Sequence, residues 1–312
     1  MVRGPLLFCG SSNPALATKI AAALGEPLGS AEVRRFGDGE VSVRLDETIR
    51  ARDVFLLQST CHPANDHLME LALMIDACRR ASAGRINAVL PYFGYSRQDG
   101  LTDRRSPISA KVVANLLCAV GVDRIITIDI HAAQIQGFFK VPVEHLNVTR
   151  LLVEHLRQLP LDEPVVVSPD AGGVDRATQV AMGLGGSIAL IDRQRAAPAA
   201  TRSMHLVGDV RDRDCVLVDD IIDTAATLTE AAELLVSRGA RSVRAAVTHP
   251  VLSGSAVARL ERSQISELIT TDTIPLAADK QRRKISVVTV APQLAAVIHN
   301  VHVGASVLAL SL

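Results

Sequence analysis

The sequence predicts an α/β fold of two similar domains, each a mostly parallel sheet flanked by helices. Short β-branched runs alternate with helical patterns along the chain. The runs are apolar throughout instead of alternating with polar residues, as expected of strands buried on both faces. Strand–helix units recur in both halves of a chain of 312 residues, a length that suggests two domains.

The strand pattern covers 54–58, 86–90 and 125–128, then 165–167, 188–191, 215–218, 243–248, 268–271 and 285–290. Leu, Met and Ile at helical spacing mark 68–83, and Pro107 opens a helix over 108–120, since proline fits a first turn. Segments 227–238 and 293–303 are read as helices too. Gly84, Gly121 and Gly239 sit just past helix ends, where a left-handed cap is common. Alternation of strand and helix implies parallel sheets joined by right-handed crossovers. The boundary is placed at Thr149, giving domains 1–149 and 150–312, with the last helix a candidate to pack back on the first domain. Segment 193–204 follows a strand without an apolar period of its own and is a candidate mobile loop or flap.

Lys+Arg and Asp+Glu number 33 each. That balance argues against a nucleic-acid coat or a polybasic membrane binder, while leaving room for a local cationic pocket. No segment reaches the ~18 uninterrupted apolar residues of a membrane span, and the first apolar run is too short for a signal peptide. A soluble, cytoplasmic protein without nucleic-acid or membrane partners is expected. Cys9, Cys61, Cys78, Cys118 and Cys215 show no CxxC spacing and fit reduced thiols packed as small hydrophobes.

The chemistry concentrates in Cys215-Val-Leu-Val-Asp219-Asp220-Ile-Ile-Asp223-Thr224-Ala225-Ala226-Thr227. A buried strand ends at Val218, two acids leave it, and a third acid leads into a helix. Ligands of open parallel sheets bind at the carboxyl ends of strands. Backbone N–H groups at a helix start favour a phosphate, and the two Thr hydroxyls add donors. Carboxylates beside such a cradle suit sugar hydroxyls, or a magnesium shell through water. The plain alternative is a loop with an Asp N-cap. The whole run resembles the ribose-phosphate-binding motif of the type I phosphoribosyltransferase fold.

Five further segments narrow the resemblance: Phe36-Gly37-Asp38-Gly39-Glu40, Leu90 to Asp99 with Arg97 and Gln98, Asp129-Ile130-His131 with the following Gln134 to Phe139, Ser168-Pro-Asp170-Ala-Gly172-Gly173, and Thr271 to Leu276. Together with the cradle they resemble the ribose-phosphate pyrophosphokinase family over nearly the whole chain. The resemblance implies two phosphoribosyltransferase-like domains and transfer of the diphosphate of ATP to the C1 hydroxyl of ribose 5-phosphate. It also implies Mg²⁺, a homo-hexamer, activation by phosphate and inhibition by ADP. Phe36, Asp38, Gly39, Glu40, Arg97 and Gln98 then fall on the ATP side. Asp219, Asp220, Asp223, Thr224, Ala225, Ala226, Thr227 and Arg195 fall on the ribose 5-phosphate side. His131 and Asp170 hold the metal, with Asp129 a weaker candidate and His249 structural. Imidazole is an unusual magnesium ligand, since that ion prefers oxygen.

The sequence also departs from the family. Arg193 stands where the family has a catalytic Lys, ahead of Arg195, its second functional cation; Arg replaces a compact ammonium by a planar fork. Ala226 stands where Gly is usual, which costs on the order of 1 kcal/mol if that position is left-handed. Gly100-Leu101 replaces the cations expected after Asp99, and Lys140 replaces an acid, so nucleotide affinity or phosphate and ADP control is expected to differ. These departures motivate one alternative, a non-catalytic regulatory paralogue. A phosphoribosyltransferase is the other, opposed by the ATP-side segments.

Overall fold

The computed structural model describes residues 4–101, 103–194 and 203–307. They divide into two compact units. The first runs through Asn147 and takes back Thr273–Pro275 and the chain from Thr289; the second holds Val148–Asp272 and Leu276–Val288.

The first unit begins with strand β1 (Leu6–Cys9) and helix α1 (Pro14–Leu24). The Asn13 side chain caps this helix by accepting from Leu16 N–H at 3.3 Å, and Gly25 ends it at φ +69°. A hairpin follows, β2 (Ala31–Arg35) and β3 (Val41–Leu45), and then β4 (Asp53–Leu57), α2 (Ala64–Arg80) and β5 (Arg85–Leu90). Helix α3 (Ser109–Val120), β6 (Arg124–Ile128) and β7 (Val143–Leu146) complete it. Five strands form a parallel sheet in the order β1-β4-β5-β6-β7.

The second unit contains α4 (Thr149–Leu156), β8 (Val165–Ser168), α5 (Val174–Leu184), β9 (Ser187–Gln194) and β10 (Ser203–Val207). It continues through β11 (Asp214–Ile222), α6 (Ala226–Ser237), β12 (Ser242–Pro250), α7 (Ala256–Arg262), β13 (Ile265–Thr271) and β14 (Ile285–Val288). Its seven-stranded sheet has the order β10-β9-β8-β11-β12-β13-β14, parallel except for β10 against β9. The last helix, α8 (Ala291–Val303), belongs to the first unit and packs on α1.

One spacing explains how the helices dock. Leu71, Met74, Ile75 and Cys78 on α2 are buried, as are Ala110, Val113, Ala114 and Leu117 on α3. Leu228, Ala231, Ala232 and Leu235 on α6 repeat the pattern, and so do Leu294, Val297, Ile298 and Val301 on α8. Positions i, i+3, i+4 and i+7 share one helix face, so each helix buries one apolar stripe. Burial of each large side chain contributes about 1.5–3 kcal/mol.

Three expectations are corrected. The left-handed residue after α2 is Ser82 (φ +58°), not Gly84. Gly84 is needed for space, since a Cβ there would meet Ala51 O at 2.9 Å. Of the flap expected over 193–204, residues 193 and 194 belong to β9 and 203 and 204 to β10, with Arg193 paired antiparallel to Met204; 195–202 lie outside the described residues. Strand β11 does not end at Val218. Pairing with β12 continues through Ile222↔Pro250, so Asp219 and Asp220 lie within the strand. No described helix is long and apolar enough to cross a membrane.

Candidate active site

In the second unit, adjacent strands β8 and β11 bring three acids together. Asp170 follows β8, and one of its carboxylate oxygens accepts Gly173 N–H at 3.1 Å. Asp219 and Asp220 sit near the carboxyl end of β11, and the Asp220 N–H donates to Asp219 Oδ1 at 2.9 Å. Burial, then the charges of Asp220 and Asp170, push the Asp219 carboxyl well above the usual carboxylate range. Arg176 on α5 approaches Asp220 at 3.8 Å, and both side chains are largely buried. Sequence reading missed Arg176, because nothing in the start of α5 signals that its side chain turns back toward β11.

Beyond Ile222 the chain enters α6 by a strained turn. Asp223 accepts from the Ser253 hydroxyl, and its carbonyl accepts Ser253 N–H at 3.1 Å. Thr224 is exposed, and its carbonyl accepts a hydrogen bond from Arg259 Nη1 at 2.6 Å. Ala225 is the residue before the helix, at φ +62° and ψ 0°, with no side-chain cap. This corrects two readings. No Asp caps α6, and the left-handed residue is Ala225 instead of Ala226, which already lies in the helix. The strain of a non-glycine residue there is about 1–2 kcal/mol. Its carbonyl is held by Thr229 through both N–H and Oγ, each at 3.0 Å. Ser253 and Arg259 were not singled out in the sequence; their approach depends on how the segment after β12 runs beside the turn.

In the first unit, the candidate ATP-side residues sit on two features. Phe36 to Glu40 form the tip of the β2–β3 hairpin: Gly39 N–H donates to Phe36 O at 3.0 Å, and Gly39 is at φ +95°. Asp38 Oδ1 accepts Glu40 N–H at 3.1 Å, so this acid shapes the turn. Phe36 is 58% exposed, an unusual position for an aromatic ring. After β5, Gly94 passes so close to Thr60 that a Cβ would meet its carbonyl at 2.3 Å. Arg97 and Gln98 beyond it are exposed, and Gln98 Oε1 accepts from Ser109 Oγ at 2.7 Å.

After β6, Asp129 is buried and strained at φ +36°. Ile130 N–H donates to His145 Nε2 at 3.0 Å, and His131 is exposed. His249 is buried at the end of β12. His131 belongs to the first unit and Asp170 to the second. No group of three or more His, Cys, Asp or Glu is placed to hold a metal ion by itself among the described residues. The carboxylate oxygens of Asp170, Asp219 and Asp220 are of the donor type that magnesium prefers, while the imidazole of His131 is not. Burial raises the thiols of Cys9, Cys78 and Cys215 to about 12, which keeps them protonated at neutral pH. Arg193 lies in β9, and Arg195 lies outside the described residues.

Two α/β units, the second carrying acids beside an uncapped helix entry, define a protein of the phosphoribosyltransferase fold class. Comparison with known proteins sharpens this. The N-terminal domain of ribose phosphate pyrophosphokinase matches residues 6–121, and the phosphoribosyl synthetase-associated domain matches 190–311. A ribose-phosphate pyrophosphokinase of Clostridium tetani is 50% identical over 299 residues, 95% of this chain and 93% of that one. One of Shewanella oneidensis is 52% identical over 298 residues, 95% of each chain. The crystal structure of phosphoribosylpyrophosphate synthetase from Mycobacterium smegmatis superposes with a TM-score of 0.92 at 41% identity, covering 97% of this chain and 100% of that one. The chain belongs to the ribose-phosphate pyrophosphokinase family.

Proposed function

We propose that the chain transfers the β,γ-diphosphate of ATP to the C1 hydroxyl of ribose 5-phosphate, giving phosphoribosyl diphosphate and AMP. The observation that carries this reading is the polarity of the β11–α6 turn. Carboxylates at Asp219, Asp220 and Asp223 precede a helix entry that has no side-chain cap. Such a site takes a ligand with hydroxyls at one end and a phosphate at the other.

The 5-phosphate would lie against the N–H groups of Ala225, Ala226 and Thr227 and the hydroxyls of Thr224 and Thr227. Asp219, Asp220 and Asp223 would accept from ribose hydroxyls and repel phosphate, which fixes the direction of the sugar. Hydroxyl donors reaching Asp219 favour its ionised form, offsetting the burial and the neighbouring charges that raise it without ligand. Phe36 offers a ring for the purine, with Asp38, Gly39, Glu40, Arg97 and Gln98 around the nucleotide.

Attack by the C1 hydroxyl oxygen on the β-phosphorus forms the new P–O bond as the bond from the β-phosphorus to the bridging α-phosphate oxygen breaks; AMP departs with that oxygen, and the hydroxyl proton is released to water. Catalysis of such a step rests on positioning and charge stabilisation. Arg193 and Arg195 are the proposed catalytic cations, and Arg195 also meets the ribose phosphate. His131 and Asp170 would hold Mg²⁺, which when bound neutralises charge on the ATP phosphates. The reading includes a homo-hexamer in the cytoplasm, which sedimentation and fractionation check.

The test is AMP release by the pure protein given ATP, ribose 5-phosphate and Mg²⁺. AMP equal to the phosphoribosyl diphosphate formed is expected; its absence overturns the reading. Arg193 in place of Lys favours one second reading, a regulatory paralogue. That reading predicts no AMP from the pure protein but a changed rate when it is mixed with an active homologue.

A further inference from the structure

The β11–α6 turn has a feature that its own residues do not explain. Ala225 is left-handed at φ +62°, though it carries a Cβ and receives no side-chain cap. Such a residue persists only where its surroundings fix it. The fixing contact at the preceding peptide comes from another helix: Arg259 on α7 donates from Nη1 to Thr224 O at 2.6 Å.

We infer that Arg259 is a positioning residue for the ribose 5-phosphate, acting through the peptide between Thr224 and Ala225. That peptide is planar and trans, so its carbonyl and its N–H point in opposite directions. Holding the Thr224 carbonyl toward α7 aims the Ala225 N–H away from α7, the side on which the 5-phosphate is proposed to lie. Rotation of this peptide as a unit would return Ala225 to negative φ and relieve its strain. It would also turn the N–H out of the cradle and put a carbonyl oxygen where a phosphate oxygen belongs. Arg259 opposes that rotation with a charge-assisted bond.

Neighbouring contacts leave this task to Arg259. Leu252 N–H and Ser253 N–H hold the carbonyls of Ile222 and Asp223, at 3.0 and 3.1 Å, which extends the β11 register only to the start of the turn. Thr229 holds the Ala225 carbonyl from inside α6. The Thr224 carbonyl lies between these two braces. Arg259 lines an open cleft of about 250 Å³ together with Thr229, Glu233 and Arg262. Arg259 touches neither sugar nor nucleotide in this account.

The inference rests on the reading of the turn as the ribose 5-phosphate site. The experiment is steady-state kinetics of Arg259→Ala, Arg259→Gln and Arg259→Lys with each substrate varied in turn. Loss of one charged hydrogen bond that fixes the cradle is expected to raise KM for ribose 5-phosphate about tenfold in the Ala and Gln variants. KM for ATP is expected to stay within about twofold, and Lys or added guanidinium to recover most of the loss. Ala225→Gly in the Arg259→Gln background is expected to recover part of it, because glycine holds positive φ without a brace. Equal changes in both KM values, a fall in kcat alone, or an unchanged KM for ribose 5-phosphate in an active enzyme would overturn the inference. If the wild type makes no AMP at all, the proposed function fails first; the Arg259 assignment is then decided by ribose 5-phosphate binding measured calorimetrically in the same variants, where an unchanged affinity overturns it. Should Arg259→Ala not fold, Arg259→Gln carries the same test.

Discussion

Asp219 accepts a hydrogen bond from the backbone N–H of Asp220 at 2.9 Å, while burial, and after it the Asp220 carboxylate, raises the Asp219 carboxyl well above its ordinary range. Two adjacent acids on a buried strand are a liability for folding and an asset for holding a polyol. An acid whose folded pKa is raised contributes stability below its unfolded pKa and loses it as pH rises through the folded value. At neutral pH, Asp219→Asn is therefore expected to raise the melting temperature of the unliganded protein by about 2–4 °C. The same change is expected to weaken ribose 5-phosphate binding at least tenfold, the cost of about one charged hydrogen bond. Thermal melts with and without ribose 5-phosphate check both signs.

Asp214 behaves in the opposite sense at the start of β11. Burial pushes its carboxyl up, but Ser242 Oγ–H at 2.6 Å, Asp162 N–H at 2.8 Å and the charges of Arg241 and Arg244 bring it below the usual range. Its contribution is present above the unfolded pKa and is lost as pH falls through the lower folded value. Asp214→Asn is expected to cost about 1–3 kcal/mol at pH 7. The difference from wild type should shrink below about pH 4, where the unfolded carboxyl is protonated. Denaturation at several pH values reads the convergence.

Ala225 and Ala226 separate on glycine substitution. Ala225→Gly removes a left-handed alanine and is expected to stabilise by up to about 1 kcal/mol. Ala226→Gly acts in the first turn of α6, where glycine costs up to about 1 kcal/mol in helix propensity. Opposite shifts in the denaturation midpoint are expected, and like shifts would place the strain elsewhere.

The thiols supply an independent check on burial. Cys9, Cys78 and Cys215, each raised to about 12, are expected to resist iodoacetamide in the native protein at pH 8 and to react once it is unfolded. Peptide mapping after labelling reads each site.

Much of this fold was legible because its helices and central strands carry strong periodic signals. The stripe Leu71, Met74, Ile75 and Cys78 announces α2, and the apolar run through Val218 announces β11. Weaker elements escaped. The strands β2 and β3 are half-exposed, with Arg34, Arg35 and Arg44 among their residues, so no apolar run marks them. Strand β10 owes its register to β9, a long-range pairing that local sequence does not encode. At the site, the acids and threonines of the turn were readable as a motif. The left-handed position was assigned one residue late, because Ala-Ala gives no clue which alanine turns. Arg176 and Arg259 were invisible because each reaches the site from a different helix.

The central claim is that a diphosphate moves, and the fate of the β-phosphorus tests it most directly. ATP labelled with ³²P at the β position is incubated with ribose 5-phosphate, Mg²⁺ and the pure protein. The account predicts label in phosphoribosyl diphosphate and unlabelled AMP in equal amount. Label retained in ADP, or no transfer to the sugar, would contradict it.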